Sequence, residues 1–229
     1  MGHQRVVCGG ELKRERERER RGEKEGRRQN KKSKSKNKTL QKPTPPPPTP
    51  PSPPQQQIEA AWAVADRLRL IGPCCEQPQY SLLERAKVER ELLPLFESRG
   101  TGTTTWSPLA SGVLTGKYGS SGTIPAGSRL SIEKYRNMLA GRLLAPDVLE
   151  KVEKLRPLAK ELGCSLAQLA VAFCARNENV STVLLGATSE SQLEDNLGAL
   201  AVLPKLTAEV LEEIEGVMGT KPEPARRFR

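Results

Sequence analysis

The chain has 229 residues and a formal net charge of +10, from 37 Lys and Arg against 27 Asp and Glu. Residues 1–56 contain 16 of the basic and 6 of the acidic residues, so the whole excess of charge lies in this segment and the remainder is neutral. No run approaches the roughly 18 apolar residues that a membrane span requires, and the charged start lacks an apolar signal-peptide core. We therefore expect a cytoplasmic protein without a membrane span, or a nuclear one if the basic segment acts as an import signal.

Residues 1–56 are predicted to be a disordered, basic and proline-rich tail. Glu11–Lys42 alternates Glu with Arg and then becomes rich in Lys, Ser and Asn, and nine of the twelve positions in Pro43–Pro54 are proline. Such segments bury too little apolar surface to offset the entropy of the chain. The basic run Arg27–Lys42 is either a solvated tail or a non-specific contact for nucleic acid or an anionic membrane surface. The proline block is a linker or a ligand for an SH3- or WW-like domain.

Helices and strands alternate over residues 57–229, the predicted folded domain. The first element is a helix from Gln57, in which Ile58, Ala61, Trp62, Ala65 and Leu68 stand at helical spacing. It is followed in chain order by a short strand within Leu70–Gln77, a helical stretch Val88–Phe96 kinked at Pro94, a strand Thr103–Trp106, and a loop Gly116–Arg129. The later ones are a helix Ile132–Leu143, a helical run from Asp147, an apolar helix capped by Ser165 and Gln168 and ending near Asn177, a strand Val180–Leu185, and helices capped by Ser189 and Thr207.

Three short apolar strands separated by helices indicate parallel βα units and an α/β fold. A TIM barrel needs eight strands and about 250 residues, which is more than residues 57–229 supply. By its number of strands and residues, the folded part is therefore a piece of a barrel or a small open sheet.

The cysteines and the histidine do not predict a metal site. The five cysteines and the single histidine, His3, show no C-x-x-C spacing, and an odd number of thiols argues against a disulfide framework. Because Cys74, Cys164 and Cys174 stand in apolar or helical patterns, we expect them to be reduced thiols of the core.

The most informative segment is Thr105–Tyr118. A β-prone run ends at Ser107 and Pro108, a loop of small residues follows, and Lys117 comes next. This order indicates a buried parallel strand that opens into a ligand-facing loop with a cation for an anionic group. A generic strand followed by a Pro/Gly turn is the alternative.

From residue 57 onward, the sequence contains a series of motifs: Cys75–Tyr80, Thr105–Tyr118, Ile124–Arg129, Leu162–Ala170, Arg176–Glu178, Val183–Thr188, Gln192–Leu197 and Leu203–Leu206. This series resembles the C-terminal half of the aldo/keto reductases, in particular the branch of the shaker-type voltage-gated potassium channel beta subunits. The shared order and spacing of the motifs carry the resemblance, which implies a partial TIM (β/α)8 barrel made of about its last three βα units.

The resemblance also implies an NADP(H) site. Gln77 would hydrogen-bond the nicotinamide amide, and the basic residues Lys117 and Arg129 would lie near the phosphates. The loop around the cofactor would consist of Trp106, Ser107, Pro108, Leu109, Ala110 and Ser111, and the adenosine and its 2′-phosphate would contact Gly186, Thr188, Gln192, Asp195 and Asn196. Gly127 and Asp195 depart from the channel subunits, which carry Tyr and Glu there. Gln77 and Asn196 as surface or capping amides, and Lys117 and Arg129 as solvated charges, are the alternatives.

No catalytic residue is expected in this chain. The family reduces carbonyls with a Tyr as proton donor, tuned by Lys and Asp with a His or Asn nearby, and the resemblance places all four in the first half of the barrel. Tyr80, Tyr118 and Tyr135 stand at other positions. We therefore expect cofactor binding without turnover, and self-association or a channel-like partner at the open barrel. A regulatory protein like the channel beta subunits, and a truncated gene product whose basic tail binds anionic partners, are the alternatives.

Overall fold

The computed structural model describes residues 54–224, and most of the predicted tail lies outside this range. Its strands are β1 (Cys75–Glu76), β2 (Gly102–Trp106) and β3 (Thr182–Leu184). The α-helices are α1 (Pro54–Leu68), α2 (Leu93–Arg99), α3 (Glu133–Leu143), α4 (Pro146–Lys154), α5 (Arg156–Glu161), α6 (Leu166–Arg176), α7 (Glu190–Leu197) and α8 (Ala208–Met218). Helix α1 begins slightly ahead of Gln57, the predicted start of the folded domain.

The three strands form one parallel sheet in the order β1-β2-β3. Glu76 lies opposite Thr103, and at the other end of β2 Trp106 lies opposite Leu184. Parallel strands require long crossover connections, which the helices between them supply. The predicted α/β class with three neighbouring parallel strands is confirmed.

Strand β2 is central and buries threonines. Thr103 and Thr105 are fully buried, and their hydroxyls donate hydrogen bonds to the backbone oxygens of Asn179 (2.7 Å) and Thr182 (3.4 Å). These bonds satisfy hydroxyls that would otherwise be costly to bury. The strand ends at Trp106, whose side chain is 44 % exposed.

Strand β1 is shorter than the predicted Leu70–Gln77 segment. Leu70 and Ile71 are exposed, Ile71 almost completely, and Gly72 lies against the ring of Trp62. Pro73 has no N–H to donate to a strand ladder. The apolar residues at 70–71 therefore lie outside the sheet, and pairing begins only at Cys75.

The predicted helical stretch Val88–Phe96 is two elements. A π-helical turn, Lys87–Glu91, ends before Leu92, and α2 starts afresh with Pro94 in its first turn. Proline is tolerated there because the first N–H groups of a helix have no partner inside the helix. Pro94 thus starts a helix, and the expectation of a kink within one continuous helix is wrong.

Helix α6 is the centre of the apolar core. Ser165 caps it by accepting a hydrogen bond from the Gln168 N–H (3.0 Å), and the Gln168 side chain accepts one from the Ser165 N–H (3.0 Å), which confirms the predicted capping box. From Leu166 to Cys174, every residue except Gln168 is buried. The helix packs against the loop that follows β2 and against α7.

The expectation of three core thiols is right for one of them. Cys174 is buried in α6, and this burial raises the pKa of its thiol. Cys164 is half-buried, whereas Cys74 is exposed because the segment before β1 is not part of the sheet. None of Cys74, Cys75, Cys164 and Cys174 is in a disulfide.

No single helix between residues 54 and 224 is long and apolar enough to span a membrane. Helices α4 to α6 satisfy the criteria of length and apolar composition only when counted together, across a bend of 87°.

Candidate functional site

A cleft of about 580 Å³ opens where β2 and β3 end. Four segments of the chain line it: the loop after β2, the loop that leads into the short helical turn Arg129–Ser131, the start of α6, and the chain from β3 into α7. The lining residues are Trp106, Ser107, Pro108, Leu109, Ser111, Gly112, Thr115, Lys117, Gly127, Ser128, Arg129, Ser165, Ala167, Leu184, Leu185, Gly186, Thr188, Gln192, Asp195 and Asn196. Clefts of this size commonly hold small molecules and cofactors.

The loop after β2 has an unusual backbone. Ser107, Ala110 and Ser111 have φ angles of 63°, 46° and 58°, a left-handed conformation that costs non-glycine residues on the order of 1 kcal/mol each. Local hydrogen bonds hold the turn, among them those from the Ala110 N–H to the Ser107 oxygen (3.0 Å) and from the Tyr118 hydroxyl to the Ser111 oxygen (3.1 Å). The sequence around the turn thus stabilises a strained backbone at the edge of the cleft.

Two cations, Lys117 and Arg129, share the cleft. Partial burial, with a contribution from the charge of Arg129, lowers the pKa of Lys117. Neither side chain forms an ion pair with a carboxylate in the part of the chain that the structure describes. Two neighbouring cations without a carboxylate partner in the described chain repel each other, so an anionic ligand in the cleft would be favoured.

Ser128 adds a hydroxyl without a partner. The residue is only 7 % exposed, and its Oγ has no hydrogen-bond partner among the described residues. A buried hydroxyl without a partner is costly, on the order of 1–3 kcal/mol. Since Ser128 lines the cleft directly before Arg129, a ligand oxygen there would satisfy it.

The opposite wall is the start of α7. Ser189 caps this helix by accepting a hydrogen bond from the Gln192 N–H (3.3 Å). The Gln192 side-chain oxygen accepts hydrogen bonds from the N–H (3.0 Å) and the hydroxyl (3.2 Å) of Thr188. The N-terminus of a helix carries partial positive charge, so this wall also favours an anion.

Asp195 and Ser165 join α7 to α6 at the base of the cleft. The Ser165 hydroxyl lies 3.1 Å and 3.3 Å from the two carboxylate oxygens of Asp195 and donates to them. Asn196 beside them is buried. Asp195 thus contributes an acceptor to the cleft, while the two cations lie on the segments that follow β2.

The structure gathers the predicted site residues around this cleft, except Gln77 and Ala110. Gln77 is exposed, and its backbone oxygen accepts a hydrogen bond from the Trp106 indole N–H (3.2 Å), so it lies beside the cleft. Ala110 is buried. Their expected contacts with a cofactor stay predictions, as do those of the lining residues.

Eight residues that line the cleft are not among the predicted site residues: Gly112, Thr115, Gly127, Ser128, Ser165, Ala167, Leu184 and Leu185. All eight lie within the motifs that carry the family resemblance, so extending the prediction along these motifs would have found them. The capping box of Ser165 and Gln168 by itself indicates the start of a helix and not a ligand site.

The comparisons with known proteins identify the family of this chain. The model of the "Aldo/keto reductase family" matches residues 53–218. This chain belongs to the aldo/keto reductase family. Membership implies a TIM-barrel type of fold. The observed parallel sheet, with helices between its strands, is consistent with that fold.

Two plant proteins are similar to this chain over about three quarters of its length. The chain is 57 % identical over 174 residues to the "Probable voltage-gated potassium channel subunit beta" of Oryza sativa subsp. japonica, and 56 % identical over 174 residues to the protein of that name from Arabidopsis thaliana. Each match covers 76 % of this chain and 52 % of the relative. The chain thus spans about half the length of the curated relatives it matches.

Metal ligands do not cluster in the described residues. No group of three or more His, Cys, Asp or Glu side chains between residues 54 and 224 is placed to hold a metal ion.

Proposed function

We propose that this aldo/keto reductase chain binds NADP(H) in the cleft between the loop after β2 and the start of α7. The observation that carries the proposal is the pair of cations, Lys117 and Arg129, without carboxylate partners in the described chain, next to the unpartnered hydroxyl of Ser128. A dinucleotide with a diphosphate and a 2′-phosphate supplies the anionic oxygens that these groups lack.

Each wall has a role in this proposal. Arg129 offers a planar fork of N–H donors for a phosphate, and Lys117 offers a point charge. Thr188 and Gln192, at the start of α7, and the acceptor Asp195 would contact the adenosine end. Trp106, at the end of β2, would lie against the nicotinamide, with Gln77 beside it. A bound nicotinamide dinucleotide supplies hydride chemistry to a carbonyl or alcohol.

We propose further that the chain binds without turnover. Its three tyrosines all lie in the described range, and none lines the cleft. The Tyr80 hydroxyl donates to Glu89 (2.6 Å) and accepts from Asn177 (3.0 Å), and burial raises its pKa. The Tyr118 hydroxyl donates to the Ser111 oxygen, and Tyr135 is exposed on α3. None is placed to donate a proton to a substrate in the cleft.

Titration of the full chain with NADPH, followed by the fluorescence of Trp106 and by calorimetry, tests this function. Charge-assisted hydrogen bonds contribute about 1.5–3 kcal/mol, so Arg129→Gln and Lys117→Met should each weaken binding by about tenfold or more. Arg67→Gln and Lys134→Met change exposed cations on α1 and α3 and should bind as wild type does. Absence of saturable binding, or equal affinity in all four variants, would contradict the proposal.

An assay with NADPH and a reactive aldehyde tests the absence of turnover separately. We expect NADPH to bind and not to be consumed. A rate that Tyr80→Phe, Tyr118→Phe or Tyr135→Phe abolishes would show that a described tyrosine donates the proton, and the proposal of binding without turnover would be wrong.

A second candidate function is regulatory association with a channel. Two relatives at 57 % and 56 % identity are named as probable voltage-gated potassium channel beta subunits, and this similarity is the observation that favours it. Under this proposal the chain binds a cytoplasmic channel domain with an affinity that NADPH changes. Pull-down of such a domain with and without NADPH tests it, and equal binding in both conditions would contradict the coupling.

The described sheet also supports a proposal about architecture. We propose that β1, β2 and β3 are the last three strands of a barrel, that the residues ahead of α1 are a tail, and that the chain associates through its outer strands. In residues 54–224, β1 and β3 each pair with one strand only, and unpaired strand edges favour association. Sedimentation of the full chain should show species larger than a monomer, and a compact monomer at all concentrations would contradict self-association.

A further inference from the structure

The side chain of Tyr118 contacts two residues of the cleft without lining the cleft itself. Tyr118 is 1 % exposed and belongs to the apolar core. Its hydroxyl bonds to Ser111, and the ammonium group of Lys117 lies over its ring. Both of these residues line the cleft. One core side chain therefore connects the strained loop after β2 with one of the two cations.

The hydroxyl of Tyr118 supports the loop at a strained position. It donates a hydrogen bond to the backbone oxygen of Ser111 (3.1 Å), seven residues earlier in the chain. Ser111 has a φ angle of 58°, and Gly112 follows with 90°. A left-handed residue with a side chain is unfavourable by itself and persists where surrounding contacts fix it. The hydrogen bond from the core to this oxygen is such a contact.

The ring of Tyr118 helps to place the charge of Lys117. The Nζ atom of Lys117 lies 5.6 Å from the centre of the ring, within the roughly 6 Å over which the face of an aromatic ring attracts a cation. The end of the Lys117 side chain also lies close to Gly112. No carboxylate pairs with Lys117 in residues 54–224, so its contacts with Tyr118 and Gly112 position its charge.

We propose that Tyr118 is a positioning residue of the cleft, on which the affinity for an anionic ligand depends although Tyr118 does not touch that ligand. Its hydroxyl fixes the loop at Ser111, and its ring places Lys117. The inference rests on the proposed NADP(H) site, because NADPH is the anion whose binding reports the position of Lys117. Loss of the hydroxyl frees Ser111 to leave the left-handed conformation, and loss of the ring also frees Lys117.

Tyr80 provides the matched comparison. It is also 1 % exposed, and its hydroxyl donates a hydrogen bond to Glu89 (2.6 Å) and accepts one from Asn177 (3.0 Å). Neither partner lines the cleft. Tyr80→Phe therefore removes a buried hydroxyl of the same kind away from the cleft, and it separates a general loss of stability from a loss of loop position.

Calorimetric titration with NADPH tests the positioning role, on variants of the full chain that circular dichroism shows to be folded. Tyr118→Phe should weaken binding by about three- to tenfold, the range that one hydrogen bond contributes. Tyr118→Leu lacks the ring as well and should weaken binding further. Tyr80→Phe should bind NADPH as wild type does. Wild-type affinity in Tyr118→Phe, or an equal loss in Tyr80→Phe, would overturn the proposal, and equal affinities of Tyr118→Phe and Tyr118→Leu would overturn the role of the ring.

Hydrogen exchange without NADPH tests the hydroxyl independently of the proposed function. In the loop, the Gly112 N–H donates to the Leu109 oxygen (2.8 Å). Mass spectrometry should show the amides of residues 109–116 exchanging about three- to tenfold faster in Tyr118→Phe than in wild type. In Tyr80→Phe they should exchange at the wild-type rate. Failure of wild type to bind NADPH would contradict the proposed function, whereas unchanged exchange in Tyr118→Phe would overturn the role of Tyr118.

Discussion

The side chain of Lys117 lies directly over the Cα of Gly112, so that a Cβ at position 112 would overlap the Lys117 Cε and Nζ atoms. Gly112 also has a φ angle of 90°, which L-residues with a side chain rarely adopt. The backbone conformation therefore favours glycine, and a Cβ at position 112 would also force the flexible end of the Lys117 side chain to move. Through this contact, the loop after β2 sets the position of a cation in the cleft.

Gly112→Ala should lower the free energy of unfolding and weaken NADPH binding together. The left-handed backbone costs alanine about 1–2 kcal/mol, and the overlap displaces Lys117 from its place in the cleft. Urea unfolding and an NADPH titration measure the two effects. Gly141→Ala is the control, because a Cβ there meets open space in helix α3 and alanine stabilises a helix by about 0.5–1 kcal/mol. Wild-type stability and affinity in Gly112→Ala would contradict this account.

Arg85→Met should be strongly destabilising. The Arg85 guanidinium, 7 % exposed, forms two hydrogen bonds of 2.8 Å with the Glu89 carboxylate and also contacts Glu215. Removing one partner of a buried ion pair leaves a buried charge without compensation and costs about 3–5 kcal/mol. Chemical unfolding monitored by circular dichroism measures the loss.

Lys154→Met is the matched control for that substitution. The Lys154–Glu150 pair has the same helical spacing and a distance of 2.7 Å, but its side chains are 60 % and 65 % exposed. Exposed pairs of this kind contribute about 0.3–0.5 kcal/mol. Equal losses from Arg85→Met and Lys154→Met would show that burial does not decide the strength of these pairs.

Stability should fall at high pH because of Tyr80. Burial, and then the charge of Glu89, raises the pKa of Tyr80 in the folded state above the value of about 10 that an unfolded tyrosine has. Above that pH the unfolded chain loses the phenolic proton while the folded chain keeps it, so the stabilisation present below pH 10 is lost as the pH rises. One such group contributes a slope of about 1.4 kcal/mol per pH unit.

The comparison of wild type with Tyr80→Phe isolates this contribution. At pH 8 the variant should be less stable, because Glu89 and Asn177 lose their hydrogen bonds to the hydroxyl. Above pH 10 its free energy of unfolding should decline less steeply, so that the two curves converge. Parallel curves from pH 9 to 11 would show that Tyr80 ionises equally in both states.

The sequence predicted the elements best where a local signal acts alone. Ser165 with Gln168 is a capping box, and α6 begins where this pair predicts. The sequence predicted the elements less well where tertiary contacts decide whether a residue joins a strand. Leu70 and Ile71 look like strand residues, but Pro73 and the packing of Gly72 against Trp62 keep them out of the sheet.

The candidate site was likewise predictable where a sequence motif marks it, and not where tertiary contacts decide. Motif resemblance predicted Lys117, Arg129 and the turn at Gly186, and these do meet at one cleft. The unpartnered hydroxyl of Ser128 could not be predicted, because a lack of hydrogen bonds depends on what the fold brings near the atom. The contact of Lys117 with Gly112 likewise depends on a left-handed turn, which small residues permit but do not specify.

The pairing of Trp106 with Leu184 is expected to form late in folding. Helices α3 to α6 all lie in the chain between β2 and β3, so this pairing closes a long loop before it gains any contact energy. Helix α6 can form and collapse onto its neighbours first. In refolding experiments, the far-ultraviolet helical signal should therefore recover earlier than the fluorescence of Trp106, and the cleft should be the last part of the molecule to assemble.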